Sequence, residues 1–124
     1  MLKIVDWAEY KKTVETGQLV IVRYYSKWSG PCRLYKSVFR KLAENTEELM
    51  LDVNIDPVDE ETKSTDKVEV PNVLIFKNGK KLGNVLGYLT DQELSEFVKG
   101  VLNREIFTLN IKSKNELDDE EEEV

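Results

Sequence analysis

Histidine is absent from the 124-residue sequence, and cysteine occurs once, at position 32. Without histidine, the chain can form neither a histidine-based catalytic triad nor a histidine metal site. With a single cysteine, it can form no internal disulfide and no cysteine-rich zinc site. These absences leave Cys32, hydroxyls, carboxylates and lysines as the groups that could take part in a reaction. We expect neither a metal nor a cofactor.

Long apolar runs and an excess of basic charge are also missing. No run approaches the roughly 20 apolar residues that span a bilayer, and the first residues, MLKIVDWAEYKK, reach charged side chains too early for a secretory signal. The sequence therefore predicts a cytoplasmic protein without a membrane partner. Its net charge of −6 comes with no basic patch that could neutralise phosphates, so we expect no nucleic-acid partner.

The negative charge is concentrated near the C-terminal end. Residues 110–124 carry seven carboxylates and two lysines, which leaves a net charge of −1 for residues 1–109. The adjacent acids repel one another and have nothing apolar to bury, a composition typical of disorder. We predict one domain over residues 1–104 and an acidic, disordered tail over residues 105–124. The tail is either a solubilising segment or a site for a basic partner.

The first half of the chain alternates strand and helix patterns. A capping box begins a helix at Asp6, and a β-branched and aromatic stretch over residues 19–25 predicts a strand buried on both faces. A second helix carries Pro31 in its first turn and ends near Glu48. Another strand follows, and the acidic residues 56–61 predict the start of a short helix.

The second half predicts a hairpin and a covering helix. Asn78-Gly79 lies between two strand patterns, where this pair favours a tight turn. A second capping box begins at Thr90, and an apolar stripe runs from Leu94 to Leu102. The whole order, β-α-β-α-β-α-β-β-α, predicts an α/β fold with a central mixed β-sheet flanked by helices on both faces.

Four motifs, taken in order, resemble the thioredoxin family over residues 2–102. Trp28-Ser29-Gly30-Pro31-Cys32 is similar to the family's WCGPC active-site loop, and Val70-Pro71 to the cis-proline that faces that loop. Residues 76–80 resemble the hairpin between the family's last two strands. Gly87 resembles a glycine at the edge of its client groove. The resemblance implies the thioredoxin fold.

The resemblance fails at position 29. The family's first cysteine is an exposed nucleophile at a helix N-terminus, and it opens a client disulfide that the second cysteine then resolves. This chain has Ser29 there, in an SxxC motif. A serine hydroxyl is too weakly acidic to ionise near neutral pH without a base, and no histidine can act as one. We therefore do not expect dithiol–disulfide oxidoreductase turnover.

Two charged residues also depart from the family. The resemblance implies a buried aspartate where Arg23 stands and, in many bacterial members, a lysine where Asp52 stands. We predict that Arg23 and Asp52 form a partly buried ion pair. Because arginine cannot accept a proton, Arg23 favours a natural loss of the reaction. A laboratory replacement of cysteine by Ser29 stays open as the other explanation.

Cys32 and the groove each have two interpretations. Cys32 is either an inert, half-buried residue or a one-thiol site, open to glutathionylation or a mixed disulfide, whose thiolate the Arg23 cation favours. By resemblance, six residues line a groove in which an extended partner segment pairs with the backbone around Val70, unless they serve packing alone. They are Trp28, Gly30, Pro31, Val70, Pro71 and Gly87.

Two classes of function are therefore predicted. The first is a monomeric binding or adaptor module, redox-inactive or with one thiol, that holds a protein or extended peptide segment in the groove. The second is a thiol-disulfide oxidoreductase of cell redox homeostasis, seen as a serine variant at position 29. In either case the candidate site contains Ser29 at the nucleophile position and Cys32 as the residual thiol.

Overall fold

Five strands and three helices form the part of the chain that the computed structural model describes, residues 1–56 and 68–117. In chain order they are β1 (Leu2–Val5), α1 (Trp7–Glu15), β2 (Val20–Tyr25), α2 (Gly30–Glu44), β3 (Leu49–Asn54), β4 (Asn72–Lys77), β5 (Lys80–Leu86) and α3 (Asp91–Leu117). The short helix predicted over residues 56–61 falls almost wholly outside the described residues.

The strands form one sheet in the order β1-β3-β2-β4-β5. β1 and β2 both run parallel to β3, whereas β4 is antiparallel to both β2 and β5. The predicted mixed sheet is thus confirmed. Its register places Arg23 opposite Asp52 on the neighbouring strand. It also places Tyr24 opposite Asn72, so the chain after β2 and the chain before β4 leave the sheet at the same end.

Helices cover both faces of the sheet. Alternate residues of the central strand β2 point to opposite sides, so each face contributes apolar side chains that pack against a helix. Ile21 packs in one cluster with Tyr35 of α2 and Leu94 of α3. Val22 packs in a second cluster with Tyr10 of α1. The residues of β2 that lie on the α2 face therefore include Arg23, which follows Ile21 by two positions.

Helix α2 ends at Glu44, earlier than the predicted end near Glu48. Asn45 ends it by donating its backbone N–H to the carbonyl of Leu42 and its side-chain amide to the carbonyl of Lys41. The apolar pattern does not register this end, because asparagine ends helices through local hydrogen bonds.

Helix α3 continues to Leu117, beyond the predicted end of its apolar stripe at Leu102. The prediction that regular structure is lost from residue 105 is therefore wrong for the backbone of residues 105–117. Residues 101–124 contain neither glycine nor proline, so the sequence has no residue there that ends a helix. The acidic run 118–124 lies outside the described residues, and the domain boundary at residue 104 stays a prediction. No described helix is long and apolar enough to cross a membrane.

Candidate functional site

The loop between β2 and α2 is anchored by Asp56, which follows β3. The Asp56 carboxylate accepts a hydrogen bond from the hydroxyl of Ser26 and another, at 2.9 Å, from the backbone N–H of Lys27. Ser26 in turn accepts the N–H of Trp28 at 3.2 Å. Asp56 thereby fixes the segment that presents Trp28 and Ser29. Sequence reasoning assigned Asp56 to a helix start and missed this role, although parallel β2 and β3 end at the same sheet edge.

Ser29 is the N-cap of α2. Its backbone is extended (φ −96°, ψ 119°), and its hydroxyl oxygen accepts the N–H of Cys32 at 3.3 Å. Gly30 and Pro31 begin the first turn, where the missing N–H of proline leaves no helical bond unmade. The oxygen that replaces the family's sulfur therefore satisfies one of the unpaired donors at the helix N-terminus.

Cys32 is buried, with only 2% of its surface exposed. Its carbonyl accepts a hydrogen bond from Nη1 of Arg23 at 2.9 Å. That bond ties the first turn of α2 to the middle of the sheet. A disulfide carried by a protein could reach the Cys32 sulfur only if this turn moved.

Arg23 and Asp52 form a bidentate ion pair beneath the loop. Nε and Nη2 of Arg23 donate to the two carboxylate oxygens of Asp52 at 2.6 and 2.7 Å, and both residues are buried. The guanidinium also lies 4.8 Å from the ring centroid of Tyr25 and 5.6 Å from that of Phe39. This geometry combines a forked ion pair with cation–π contacts.

The pair engages both oxygens of Asp52, the described carboxylate beneath the loop. Both oxygens of Asp52 are bonded to a cation that cannot lose its proton at any accessible pH. Sequence reasoning missed the contributions of Tyr25 and Phe39. Tyr25 could have been found, because it follows Arg23 by two residues on a strand and so shares its face.

The proposed groove is built where β4 and β5 leave the loop end of the sheet. The Val70–Pro71 peptide bond is cis, and Pro71 is buried. The carbonyl of Pro71 accepts the N–H of Gly87 at 2.8 Å. Gly87 has φ of 90°, a backbone conformation that favours glycine. The structure thus joins Pro71 to Gly87 directly, and the register of β2 and β4 brings them to the same end of the sheet as Trp28.

Exposed apolar side chains accompany this groove. Trp28 is 87% exposed and Leu34, on α2, is 68% exposed. Leu86 and Tyr88 on either side of Gly87 are also exposed, and the ring of Tyr88 contacts that of Tyr35 with centroids 5.2 Å apart. Sequence reasoning did not identify Leu34 or Tyr88 as exposed residues of this surface. Trp28, Leu86 and Tyr88, at the loop end of the sheet, add exposed apolar surface of the kind that binding sites use.

Comparison with known proteins assigns the same fold. The family model described as Thioredoxin matches residues 1–100. The chain is 27% identical to a thioredoxin of Mycoplasmoides gallisepticum over 100 residues, 80% of this chain and all of that protein. It is 31% identical to a thioredoxin of Chlamydia caviae over 88 residues, 70% of this chain and 85% of that protein. The crystal structure of the reduced Schistosoma mansoni thioredoxin pre-protein superposes with a TM-score of 0.67 at 23% identity, covering 81% of this chain and 97% of that one.

Proposed function

Because the chain belongs to the thioredoxin family, we propose that it is a member without dithiol chemistry that binds an extended segment of a partner protein. One observation carries the proposal. The hydroxyl at the nucleophile position, on Ser29, accepts a backbone N–H as a helix cap, and the position beneath it holds Arg23, already bonded to Asp52. The chain thus keeps the fold of a redox protein around a site that lacks a nucleophile and its base.

The chemical argument concerns the proton of Ser29. To attack a disulfide, the serine oxygen would first have to lose that proton to a nearby base. Two described carboxylates near this loop are already engaged, Asp52 with Arg23 and Asp56 with Ser26 and the N–H of Lys27. Neither Asp52 nor Asp56 is therefore free to accept the proton of Ser29 for the opening displacement of the family reaction.

The binding argument concerns the groove. Among the described residues none forms a hydrogen bond with the backbone of Val70, which supports pairing of that backbone with an added extended strand. Exposed Trp28 and Tyr88 belong to the residue types that contribute most to binding energy at protein interfaces. An extended protein segment is therefore the partner that this surface suits best. The monomeric state and the cytoplasmic location expected from the sequence stay predictions.

The one-thiol form of the proposal requires Cys32 to become reachable. Its burial and the hydrogen bond from Arg23 to its carbonyl both oppose this. We therefore assign Cys32 to structure within this function. Alkylation of the native protein by iodoacetamide tests the assignment. The Cys32 thiol is expected to react slowly in the folded protein, because it is buried, and to react freely after unfolding.

The second candidate is a thiol-disulfide oxidoreductase in which Ser29 replaces a catalytic cysteine, favoured by the retained Cys32 at the resolving position. Insulin reduction with thioredoxin reductase separates the two functions. We expect no turnover by the chain and slow turnover by Ser29→Cys, because Arg23 cannot accept the proton of Cys32. Adding Arg23→Asp and Asp52→Lys is expected to raise the rate. Brisk turnover by Ser29→Cys alone would favour the oxidoreductase.

The binding role is tested with a phage-displayed library of extended peptides. Peptides selected on the chain should bind Trp28→Ala at least about tenfold more weakly, the loss expected for a central interface residue. Ile4→Ala is the matched control, since Ile4 is an exposed apolar residue on β1. Both variants should unfold at the temperature of the parent. Failure to select any peptide, or equal weakening by the two variants, contradicts the adaptor role.

A further inference from the structure

A cavity of about 230 Å³ lies beside Cys32, walled by residues of β1, β2, β3 and the first two turns of α2. None of the six groove residues named above lines it. The cavity is therefore a separate concave site on the α2 side of the sheet, and its function does not depend on the groove.

The cavity gathers positive charge on an acidic protein. Its walls contain the cations Arg23, Lys27, Arg33 and Lys36 and one carboxylate, Asp52, which leaves a net formal charge of +3. The whole chain carries −6. Cations that line a concave, low-dielectric wall focus their field into it and raise the local concentration of anions.

Three of these cations form no ion pair with a carboxylate whose side chain the structure describes. Among the side chains of residues 1–56 and 68–104, the ion pairs join Arg23 to Asp52 and Lys41 to Asp91 only. Arg33 instead donates Nη1 to the backbone carbonyl of Lys27 at 3.3 Å. That bond holds its guanidinium against the loop at the cavity. Lys27, Arg33 and Lys36 thus present charge that nothing in the described part of the chain neutralises.

We propose that this cavity binds a small organic dianion of the dicarboxylate class. The two carboxylates would pair with Lys27, Arg33 and Lys36 near the exposed side, where these side chains lie. The apolar body would lie against Ile4 and Tyr25, which also line the cavity. The volume is below the roughly 300–1,000 Å³ of cavities that hold drug-sized ligands, so the ligand is a small metabolite.

The test is a nuclear magnetic resonance titration of the full chain with succinate, followed through the backbone amides of Cys32 and Arg33. Succinamide, the neutral analogue of nearly the same shape, is the matched ligand, and ionic strength is held constant because exposed charges are screened by salt. Succinate should give saturable shifts at these amides. The double variant Lys27→Gln with Lys36→Gln should weaken succinate binding by about tenfold, on the scale of two partly exposed charge pairs.

Arg40→Gln is the matched control protein. Arg40 is an exposed cation on α2 that does not line the cavity, so its loss should leave the affinity for succinate unchanged. Each of four results would overturn the proposal. They are shifts that do not saturate, equal shifts with succinamide, equal weakening by the Lys27 and Lys36 changes and by Arg40→Gln, and inorganic phosphate binding as tightly as succinate.

Discussion

At the scale of single residues, Arg23 connects the sheet, the helix and the aromatic side chains around the site. It binds both oxygens of Asp52 and the carbonyl of Cys32, and it faces two rings. Removing two charges from water costs several kcal/mol for each ion, which only good geometry and further hydrogen bonds offset. The forked pair provides both, and so the burial of Arg23, which has 1% of its surface exposed, is tolerated.

The ion pair leads to a stability prediction. Arg23→Met leaves the Asp52 carboxylate buried without a partner, and Asp52→Leu leaves the guanidinium in the same situation. Each single change should lower the free energy of unfolding by about 3–5 kcal/mol. The double variant should recover most of that loss, since it contains no unpaired charge. Urea denaturation of the four proteins measures the coupling.

The exposed pair of Lys41 and Asp91, 2.8 Å apart, is the control for this cycle. Lys41→Met and Asp91→Leu should show a coupling of at most about 1 kcal/mol, because solvent screens the pair. If Arg23→Met and Asp52→Leu were additive in the same way, the buried pair would not be a coupled unit.

Tyr35 gives a pH prediction at the same scale. Its side chain is fully buried, its hydroxyl approaches the backbone of Leu89 without the geometry of a full hydrogen bond, and burial raises the pKa of Tyr35 to about 12. Because the pKa of Tyr35 is higher in the folded protein than its unfolded value of 10.0, the contribution of this group to stability is fully present below pH 10.0. That contribution is lost as pH rises from the unfolded value toward the folded value.

Tyr35→Phe removes the titrating group and isolates its effect. At about pH 7 the variant should unfold within about 1 kcal/mol of the parent, because the lost hydroxyl makes no full hydrogen bond. At about pH 11 it should retain more of its neutral-pH stability than the parent does. Urea denaturation at both pH values tests this, and equal alkaline losses in the two proteins would assign the loss to other groups.

At the scale of elements, the start of α2 depends on Ser29 as a cap. Ser29→Ala should lower the free energy of unfolding by about 1 kcal/mol, the usual effect of losing a serine N-cap. Ser37→Ala is the control on the same helix. The Ser37 hydroxyl bonds to the carbonyl of Leu34 at 3.4 Å on an exposed face, and its loss should change stability by no more than about 0.5 kcal/mol. Equal effects at the two serines would contradict the cap.

The sequence predicted the elements well where one local pattern decided them. The N-cap at Asp6, whose carboxylate accepts the N–H of Glu9, the β-branched strand around Val22 and the hairpin at Asn78-Gly79 all occur as expected. The exposure of Leu34 could not be predicted, because helical periodicity does not separate buried from exposed positions at the edge of an apolar helix face. Asp56 was missed because its role requires β2 and β3 to end side by side, a relation between elements distant in sequence.

At the scale of the whole molecule, the packed part of the chain and its last helix end at different positions. The last buried residue among the described side chains is Val101, and the family model ends at residue 100. The helix nevertheless continues to Leu117. The apolar stripe, which runs to Leu102, indicated where packing ends but not where the helix ends, because the stripe reports which residues pack on the sheet and not how far the backbone stays helical.

A chain that ends after Arg104 tests this division. It should keep the free energy of unfolding of the full chain within about 1 kcal/mol, because every described buried residue precedes it. It should also lose the far-ultraviolet circular dichroism of the 13 helical residues from 105 to 117. Urea denaturation and spectra of the two chains measure these quantities independently. A marked loss of stability would place the domain boundary beyond residue 104, whereas an unchanged molar ellipticity would show that residues 105–117 are not helical in solution.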